Sequence, residues 1–280
     1  MNGQGIFKTF YYDSLKHLFN LCFHPEYRRF NWLLTRYAGI PRFTKKKIRI
    51  HGWNLVVPDI ASFLSAYREI FVEEIYAFQA ENQCPVILDC GANIGLSILY
   101  FKLKFPDSKI FAFEADPQIC QILRNNIKQN NIKGVEIENK AIWSSEMVVD
   151  FKGEGSDGGR IEHRSDKSCI KVPAVSLYSI LQTQKYDFVK IDIEGAEWES
   201  LKNCKPVMKN LKYVFVEFHS FIETKQELGE MIDFFEQEGF RVHIHQEYIV
   251  KRPFLGIKET ENGMDMQLNL FFWRAKINIV

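Results

Sequence analysis

The chain has 280 residues, of which 46% are hydrophobic, and a formal net charge of +1 at pH 7. This length and composition predict a globular protein with a full core, and the balanced charge disfavours a nucleic-acid-binding protein. No stretch has the apolar length of a membrane span, and the first residues lack the pattern of a signal peptide. The six cysteines are dispersed, which is typical of reduced packing residues. We therefore expect a cytoplasmic protein with one catalytic domain.

Residues 1–80 are predicted to form an N-terminal extension whose first 40 residues are rich in aromatic side chains. Between Phe7 and Phe23 the apolar residues could line one face of a helix. We favour a helix packed on the catalytic core or on a second subunit, with a substrate lid and a membrane-surface helix as alternatives. The cluster Lys45–Lys47 precedes a predicted strand, Ile48–Val57, and is interpreted as a solvated strand edge rather than a nucleic-acid patch.

The segment Phe63–Phe78 carries apolar side chains at helical spacing, which predicts a helix leading to the first strand of a sheet. Tyr76 lies near the end of this segment. It could belong to a lid over a cofactor, or be an ordinary core residue. Residues 81–280 are predicted to form the catalytic domain.

The segment Val86–Ser97 predicts a buried strand that turns through a glycine loop directly into a helix. Asp89 ends the apolar run, and the candidate ligand-binding residues Gly91, Asn93 and Gly95 follow it. Open α/β sheets bind ligands at this edge, and the helix start offers free N–H groups. The spacing lacks the third glycine of a dinucleotide-binding loop. Asp-x-Gly-x-x-x-Gly instead resembles motif I of the Rossmann-like S-adenosylmethionine-dependent methyltransferases, although a turn without a ligand is the alternative.

A second apolar strand follows and ends in Glu114. A carboxylate at this position can accept both ribose hydroxyls of an adenosine, and it lies about 20 residues beyond the glycine loop, as a βαβ unit requires. The alternative is that Glu114 only caps the next helix. We favour the ribose role because Asp116 and Pro117 are better placed to begin that helix.

Residues 135–139 predict a third strand that runs into a loop. In this loop Ala141 and Ile142 would supply the apolar contact to an adenine ring. The stretch 151–160 then contains four glycines. It is either a mobile loop beside the pocket or a plain hairpin connection.

A further buried strand, Phe188–Ile191, is predicted to place Lys190, Asp192, Glu194 and Glu197 at its carboxyl end. Ionisable groups this close are costly unless they pair or act in chemistry. We expect Lys190 to neutralise Asp192 or Glu194. A purely structural ion-pair network is the alternative.

The segment Leu211–Phe218 predicts a fifth strand that ends in Glu217 and His219, which alternation places on one face. His219 is a candidate general base because the usual pKa of histidine is about 6.5. A satisfied structural histidine is the alternative. Thr224 and Glu227 predict a capping box for the next helix. Two closing strands are predicted at 240–246 and 268–275.

Three segments together, Ile87–Gly95, Phe113–Pro117 and Lys190–Glu197, resemble the motifs of the FkbM-type methyltransferases. The third segment is the specific one. The resemblance covers residues 70–275 and implies an α/β, Rossmann-like class I methyltransferase fold behind an N-terminal helical and β extension. The implied sheet has seven strands, mostly parallel, with an antiparallel last strand. The family commonly has proline directly after the acid, where this chain has Ala115.

The resemblance implies S-adenosylmethionine as the donor and O-methylation of a hydroxyl on a sugar, glycan or natural product. A base must then take the hydroxyl proton as the methyl group is transferred in line. The candidate bases are Asp192 and His219, with the other ionisable residues after Phe188–Ile191 orienting them. A divalent metal held by Asp192, Glu217 and His219 is an alternative activation.

Two other classes of protein stay open at this point. A nicotinamide-dependent oxidoreductase would use the same sheet, but the missing third glycine disfavours it. A non-catalytic module that binds an adenosine cofactor would not need the ionisable cluster between Lys190 and Glu197. The expected partner is a small-molecule or carbohydrate acceptor, with no nucleic acid and no membrane span, in a chain that could form a homo-oligomer.

Overall fold

The computed structural model describes residues 15–155, 158–161, 168–247, 254 and 263–274. The chain divides into two compact units. The first contains residues 1–48 and 57–77, and the second contains residues 49–56 and 78–280. Within the ranges that the structure describes, no helix is both long and apolar enough to cross a membrane.

The first unit is mainly helical. Its helices are α1 (15–23), α2 (Pro25–Tyr37) and α3 (Ile60–Tyr67), and α3 continues into a π-helical turn, Arg68–Val72. Asp59 begins α3, because its side chain accepts a hydrogen bond from the backbone N–H of Ser62 at 3.0 Å. Tyr67 is buried, and its hydroxyl donates to Glu26 at 2.6 Å. This hydrogen bond joins α3 to α2.

The helix predicted at 63–78 has different bounds in the structure. Helical backbone begins at Ile60 and ends at Val72. Glu74 then has a φ of 53°, which an α-helix cannot accommodate. Ile75 and Tyr76 are buried in this irregular segment. The sequence prediction extended the helix too far because these apolar residues continue the helical spacing after the helix has ended.

The single strand predicted over Ile48–Val57 is a hairpin of two strands, β1 (Lys46–Ile50) and β2 (Trp53–Val57). His51 and Gly52 join them with φ values of 48° and 86°. Two consecutive positive φ values are what a tight type I′ hairpin turn requires. The sequence prediction missed the turn because histidine is uncommon at its first position.

The second unit is built on a large sheet. Its strands are β3 (Val86–Cys90), β4 (Lys109–Phe113), β5 (Val135–Glu138), β10 (Phe188–Ile191), β11 (Tyr213–Phe221), β12 (Arg241–Gln246) and β13 (Met264–Trp273). They lie in the order β12-β13-β11-β10-β3-β4-β5. Neighbours from β11 to β5 are parallel, and β13 is antiparallel to both β11 and β12. The predicted seven-stranded, mostly parallel sheet with an antiparallel last strand is confirmed.

Helices connect these strands. They are α4 (Leu96–Lys104), α5 (Pro117–Gln129), α6 (Leu177–Thr183), α7 (Glu197–Leu201) and α8 (Leu228–Gln237). Asp116 caps α5 by accepting a hydrogen bond from the N–H of Gln118 at 2.7 Å. The capping box predicted for α8 is wrong, because Glu227 makes no side-chain cap and the Thr224 hydroxyl donates to the carbonyl of Phe221.

A second sheet lies outside the predicted architecture. Its strands are β6 (Ala141–Trp143), β7 (Met147–Lys152), β8 (Arg160–Ile161) and β9 (Ile170–Ser176), in the order β6-β9-β7-β8. Ala141 and Ile142 therefore lie in a strand, not in the predicted loop. The glycine-rich stretch connects β7 to β8, whose antiparallel pairing corresponds to the hairpin alternative.

The strand β11 is longer than the predicted fifth strand. Glu217 and His219 lie inside it, paired with Asn269 and Gln267 of β13. They are therefore not at a strand tip. The extension follows from the length of β13, which pairs with β11 as far as Phe221.

Candidate active site

The glycine loop between β3 and α4 is fixed to its neighbours by its backbone. The N–H groups of Gly91 and Ala92 both donate to the carbonyl of Phe113 at 2.9 Å. Gly91 has a φ of 81°, and a Cβ at this position would lie 1.8 Å from the carbonyl oxygen of Asp192. Only glycine fits there. The loop thus packs directly on the segment that follows β10.

Gly95 ends the same loop and precedes α4 with a φ of 97°. A Cβ here would lie 2.7 Å from Cδ1 of Leu123 on α5. Asn93 also has a positive φ, 47°, and its side-chain oxygen accepts a hydrogen bond from the N–H of Ile94 at 2.6 Å. Asparagine tolerates this left-handed conformation better than most residues. The predicted loop residues thus have backbone roles.

We expect Gly95→Ala to lower the free energy of unfolding by about 1–3 kcal/mol, because it adds a left-handed strain and an overlap with Leu123. Urea unfolding measures this change. The control is Gly229→Ala, since no atom lies within 4 Å of a Cβ at this position in α8. The control should leave stability unchanged or raise it by about 0.5 kcal/mol. Equal stabilities for the two variants would contradict this account of the loop.

Glu114 directly follows β4 and is buried. Its Oε2 accepts a hydrogen bond from the N–H of Asn93 at 2.9 Å, and its Oε1 accepts one from the N–H of Asp116 at 2.8 Å. Burial raises the pKa of Glu114 to about 7, although the two N–H donors oppose this shift. Each carboxylate oxygen has a second lone pair that can accept a hydroxyl.

Asp89 and Lys190 form a buried pair beside the glycine loop. The Nζ of Lys190 donates to the carbonyl of Gly91 at 2.7 Å and lies 3.1 Å from Oδ2 of Asp192 and 3.5 Å from Oδ1 of Asp89. Oδ2 of Asp89 accepts a hydrogen bond from the hydroxyl of Ser97 at 2.5 Å. The sequence predicts that Lys190 pairs with Asp192 or Glu194, and the ion pairs seen among the described residues include Asp192. Lys190 thereby links the loop to the acids after β10.

The turn between β10 and α7 places Glu194. Glu194 and Gly195 have positive φ values of 54° and 96°. The buried Glu197 holds this turn, because its Oε1 accepts the N–H of Gly195 at 2.9 Å. A Cβ at Gly195 would lie 2.7 Å from the ring of Phe221. A side chain at position 195 would therefore strain the turn and overlap Phe221.

His219 of β11 lies among three carboxylates. Its side chain is 1% exposed, and its Nδ1 is 3.0 Å from Oε1 of Glu197. Its Nε2 lies 3.5 Å from Oε2 of Glu194 and 3.6 Å from Oε1 of Glu217. Burial alone would lower the pKa of His219, but the carboxylates of Glu194, Glu197 and Glu217 raise it well above its usual value. The three carboxylates therefore favour the protonated form of this imidazole.

Asp192, Glu194 and His219 form a compact cluster. Each offers one ligand atom, and these atoms lie within 4.8 Å of one another. The predicted metal set had Glu217 in place of Glu194. In the structure Glu217 accepts a hydrogen bond from the side chain of Gln267. The left-handed turn, which sequence spacing does not reveal, brings Glu194 into the cluster.

The remaining predicted residues are placed as follows. Ala141 and Ile142 are buried in β6, and their contact with adenine stays a prediction. Tyr76 is buried and belongs to the first unit, and its lid role also stays a prediction. Ser97 was missed by the sequence analysis. Its signal was a hydroxyl in the first turn of the helix after the glycine loop.

Comparison with known structures agrees on the class of fold. The structure is similar to the crystal structure of a methyltransferase FkbM from Methylobacillus flagellatus, with a TM-score of 0.50 and 12% sequence identity. The match covers 76% of this chain and 53% of the other, so this chain spans about half the length of that protein. The fold is that of the Rossmann-like class I methyltransferases.

The sequence model of the methyltransferase FkbM domain matches residues 89–242. The chain therefore belongs to the FkbM family of S-adenosylmethionine-dependent methyltransferases, as the three motifs indicated. Membership of this family argues against the alternative of a nicotinamide-dependent oxidoreductase.

Two curated methyltransferases are similar in sequence to this chain. Methyltransferase sdnD of Sordaria araneosa is 42% identical over 179 residues, which cover 49% of this chain and 66% of the relative. The hexuronic acid methyltransferase AglP of Haloferax volcanii is 25% identical over 208 residues, which cover 65% of this chain and 85% of the relative.

Proposed function

We propose that this protein transfers the methyl group of S-adenosylmethionine to a hydroxyl oxygen of a sugar, glycan or natural product. The observation that carries this proposal is the cluster of Asp192, Glu194 and His219, which Lys190 links to the glycine loop. A relative named for hexuronic acid supports a carbohydrate acceptor. A second relative, the 2-O-methyltransferase NoeI of Sinorhizobium fredii, is 23% identical over 171 residues, which cover 54% of this chain and 68% of the relative.

The residues around the glycine loop fit the donor. S-adenosylmethionine supplies an electrophilic methyl group on a positively charged sulfur. Glu114 offers two oxygens, each oriented by a backbone N–H, to ribose hydroxyls. The glycines at positions 91 and 95 carry no side chains that would block the loop. Asp89 is fully buried and holds Lys190 and Ser97 beside the loop.

Asp192 is the residue that we assign as the base. Its side chain is 23% exposed, whereas that of His219 is 1% exposed, so Asp192 is the more accessible to an acceptor. The carboxylates around His219 favour its protonated form, and an imidazolium cannot take a further proton. Asp192 would remove the hydroxyl proton as the new C–O bond forms. Glu197 and His219 act as positioning residues that hold Glu194.

The same cluster can also hold a divalent cation, which is the second activation that we propose. Two carboxylates suit Mg²⁺ or Mn²⁺, and an imidazole can complete the set. Glu197 at Nδ1 of His219 corresponds to the carboxylate that commonly orients a metal-binding histidine. A cation there would take the place of the imidazole proton and polarise the acceptor hydroxyl.

Binding of Mn²⁺ to the protein without substrate, followed by electron paramagnetic resonance, tests the metal proposal. We expect Glu194→Gln to weaken Mn²⁺ binding by about 10-fold or more, because it removes one ligand from the compact set. The matched control is Glu199→Gln on α7, whose carboxylate accepts a hydrogen bond from Ser144 and is not one of the three cluster residues; it should change the affinity by less than about threefold. Absence of Mn²⁺ binding, or an equal loss in both variants, would contradict the proposal.

The methyl-transfer proposal is tested with a labelled donor. The protein is incubated with deuterated-methyl S-adenosylmethionine and a panel of uronic acids, neutral glycosides and hydroxylated natural products, and the products are analysed by mass spectrometry. We expect one labelled methyl group on an oxygen of the acceptor. Label on nitrogen or carbon, or no label in any acceptor of the panel, would overturn the proposed O-methylation.

A further inference from the structure

Helix α1 presents an apolar face to solvent. Leu15, Leu18, Phe19 and Phe23 are 47%, 57%, 54% and 68% exposed. Their spacing places them along one side of the helix, where the rings of Phe19 and Phe23 lie 4.7 Å apart. Monomeric soluble proteins rarely leave a contiguous apolar surface of this kind in water without a binding role.

Exposed aromatic rings and basic side chains continue along the same segment. Trp32 is 53% exposed, and the guanidinium of Arg36 lies 5.8 Å from the centre of its ring. Phe43 is 59% exposed. Tryptophan and tyrosine, whose rings have one apolar and one polar side, are enriched where proteins meet the headgroups of a bilayer.

The charge of this segment differs from that of the rest of the chain. Residues 1–48 contain nine Lys and Arg and two Asp and Glu, a net charge of +7, whereas the whole chain carries only +1. Residues 49–280 therefore carry −6. Lys45, Lys46 and Lys47 are all exposed. The segment around α1 is thus both apolar on one helix face and strongly cationic.

We propose that residues 15–47 bind the surface of an anionic lipid bilayer. Apolar side chains at the acyl boundary and lysines at the headgroups are the two contributions that hold a helix in this interface. A second copy of this chain would cover the apolar face, but two segments of the same high positive charge repel each other. A nucleic acid matches the charge but offers no apolar surface to Leu15, Leu18 and Phe23. The contact is peripheral and does not cross the bilayer.

Co-sedimentation of the full chain with vesicles tests this proposal. One set of vesicles is phosphatidylcholine alone, and the other is phosphatidylcholine mixed with phosphatidylglycerol. We expect the protein to sediment with the anionic vesicles at low salt, and added salt should weaken the binding. Phe19→Ser with Phe23→Ser should reduce binding about 10-fold or more, because two rings that the bilayer would bury are lost. Replacement of Lys45, Lys46 and Lys47 by Gln should reduce it by a factor on the order of a hundred.

A control pair keeps the test specific. Met147 and Val148 are 49% and 60% exposed on β7, and their replacement by Ser should leave vesicle binding unchanged. All the replaced side chains are exposed, so the melting temperature should stay that of the parent protein. Equal sedimentation with both vesicle types, or none with either, would overturn the proposal. So would a concentration-dependent dimer that the Phe19 and Phe23 replacements abolish while vesicles bind no protein.

Discussion

Replacement of Asp192 by Asn is expected to lower kcat by about 10²–10⁴-fold, the range that general base catalysis supplies. The amide keeps the shape of the side chain but cannot take the hydroxyl proton. The dissociation constant of S-adenosylmethionine should change by less than about threefold, because Glu114 and the glycine loop are untouched. Steady-state kinetics and isothermal titration calorimetry measure the two quantities.

The control for this variant is Glu199→Gln. Glu199 lies on α7 and its side chain is 32% exposed, accepting a hydrogen bond from Ser144. It lies on the helix that follows the cluster segment but is not one of the three cluster residues. We expect its turnover to match that of the parent protein. Unaltered turnover in Asp192→Asn would exclude Asp192 as the base.

Replacement of Glu114 by Gln is expected to weaken S-adenosylmethionine binding by about 10–100-fold, since hydrogen bonds to a charged group contribute about 1.5–3 kcal/mol. The amide keeps one acceptor oxygen but loses the negative charge. Titration calorimetry measures the affinity. Unchanged binding would show that the ribose lies elsewhere.

The pH dependence of binding gives a second test of Glu114. Its pKa of about 7 in the ligand-free protein means that the carboxyl becomes protonated as the pH falls through 7. Hydroxyl donors favour the ionised form, so the Kd should be constant above this pH and rise below it. In Glu114→Gln this rise should be absent, because the amide does not titrate. The same pH dependence in both proteins would contradict the assignment.

The sheet was predictable because its signals are local. The run from Val86 to Gly95 contains a buried strand and a loop that needs glycine, and a positive φ at Gly91 and Gly95 follows from that turn. The second sheet was not predictable by the same means. β6 has three residues, and its partner β9 lies about 30 residues further on and contains Pro173. Neither strand has a pattern that can be read in isolation.

The candidate site was predictable as a set of residues, but not as a geometry. Sequence spacing indicated that the acids after β10 and His219 share one edge of the sheet. It did not show that Glu194 has a left-handed backbone, or that Gln267 of a distant strand holds Glu217. These contacts depend on tertiary packing between β11 and β13. They decide which carboxylate joins Asp192 and His219.

A crystal structure of the protein with S-adenosylhomocysteine, the demethylated donor, tests the central assignment most directly. We predict that the ribose hydroxyls donate to Glu114 and that the sulfur faces the side chains of Asp192 and His219. A ribose bound away from Glu114, or a sulfur directed away from Asp192, would contradict the account.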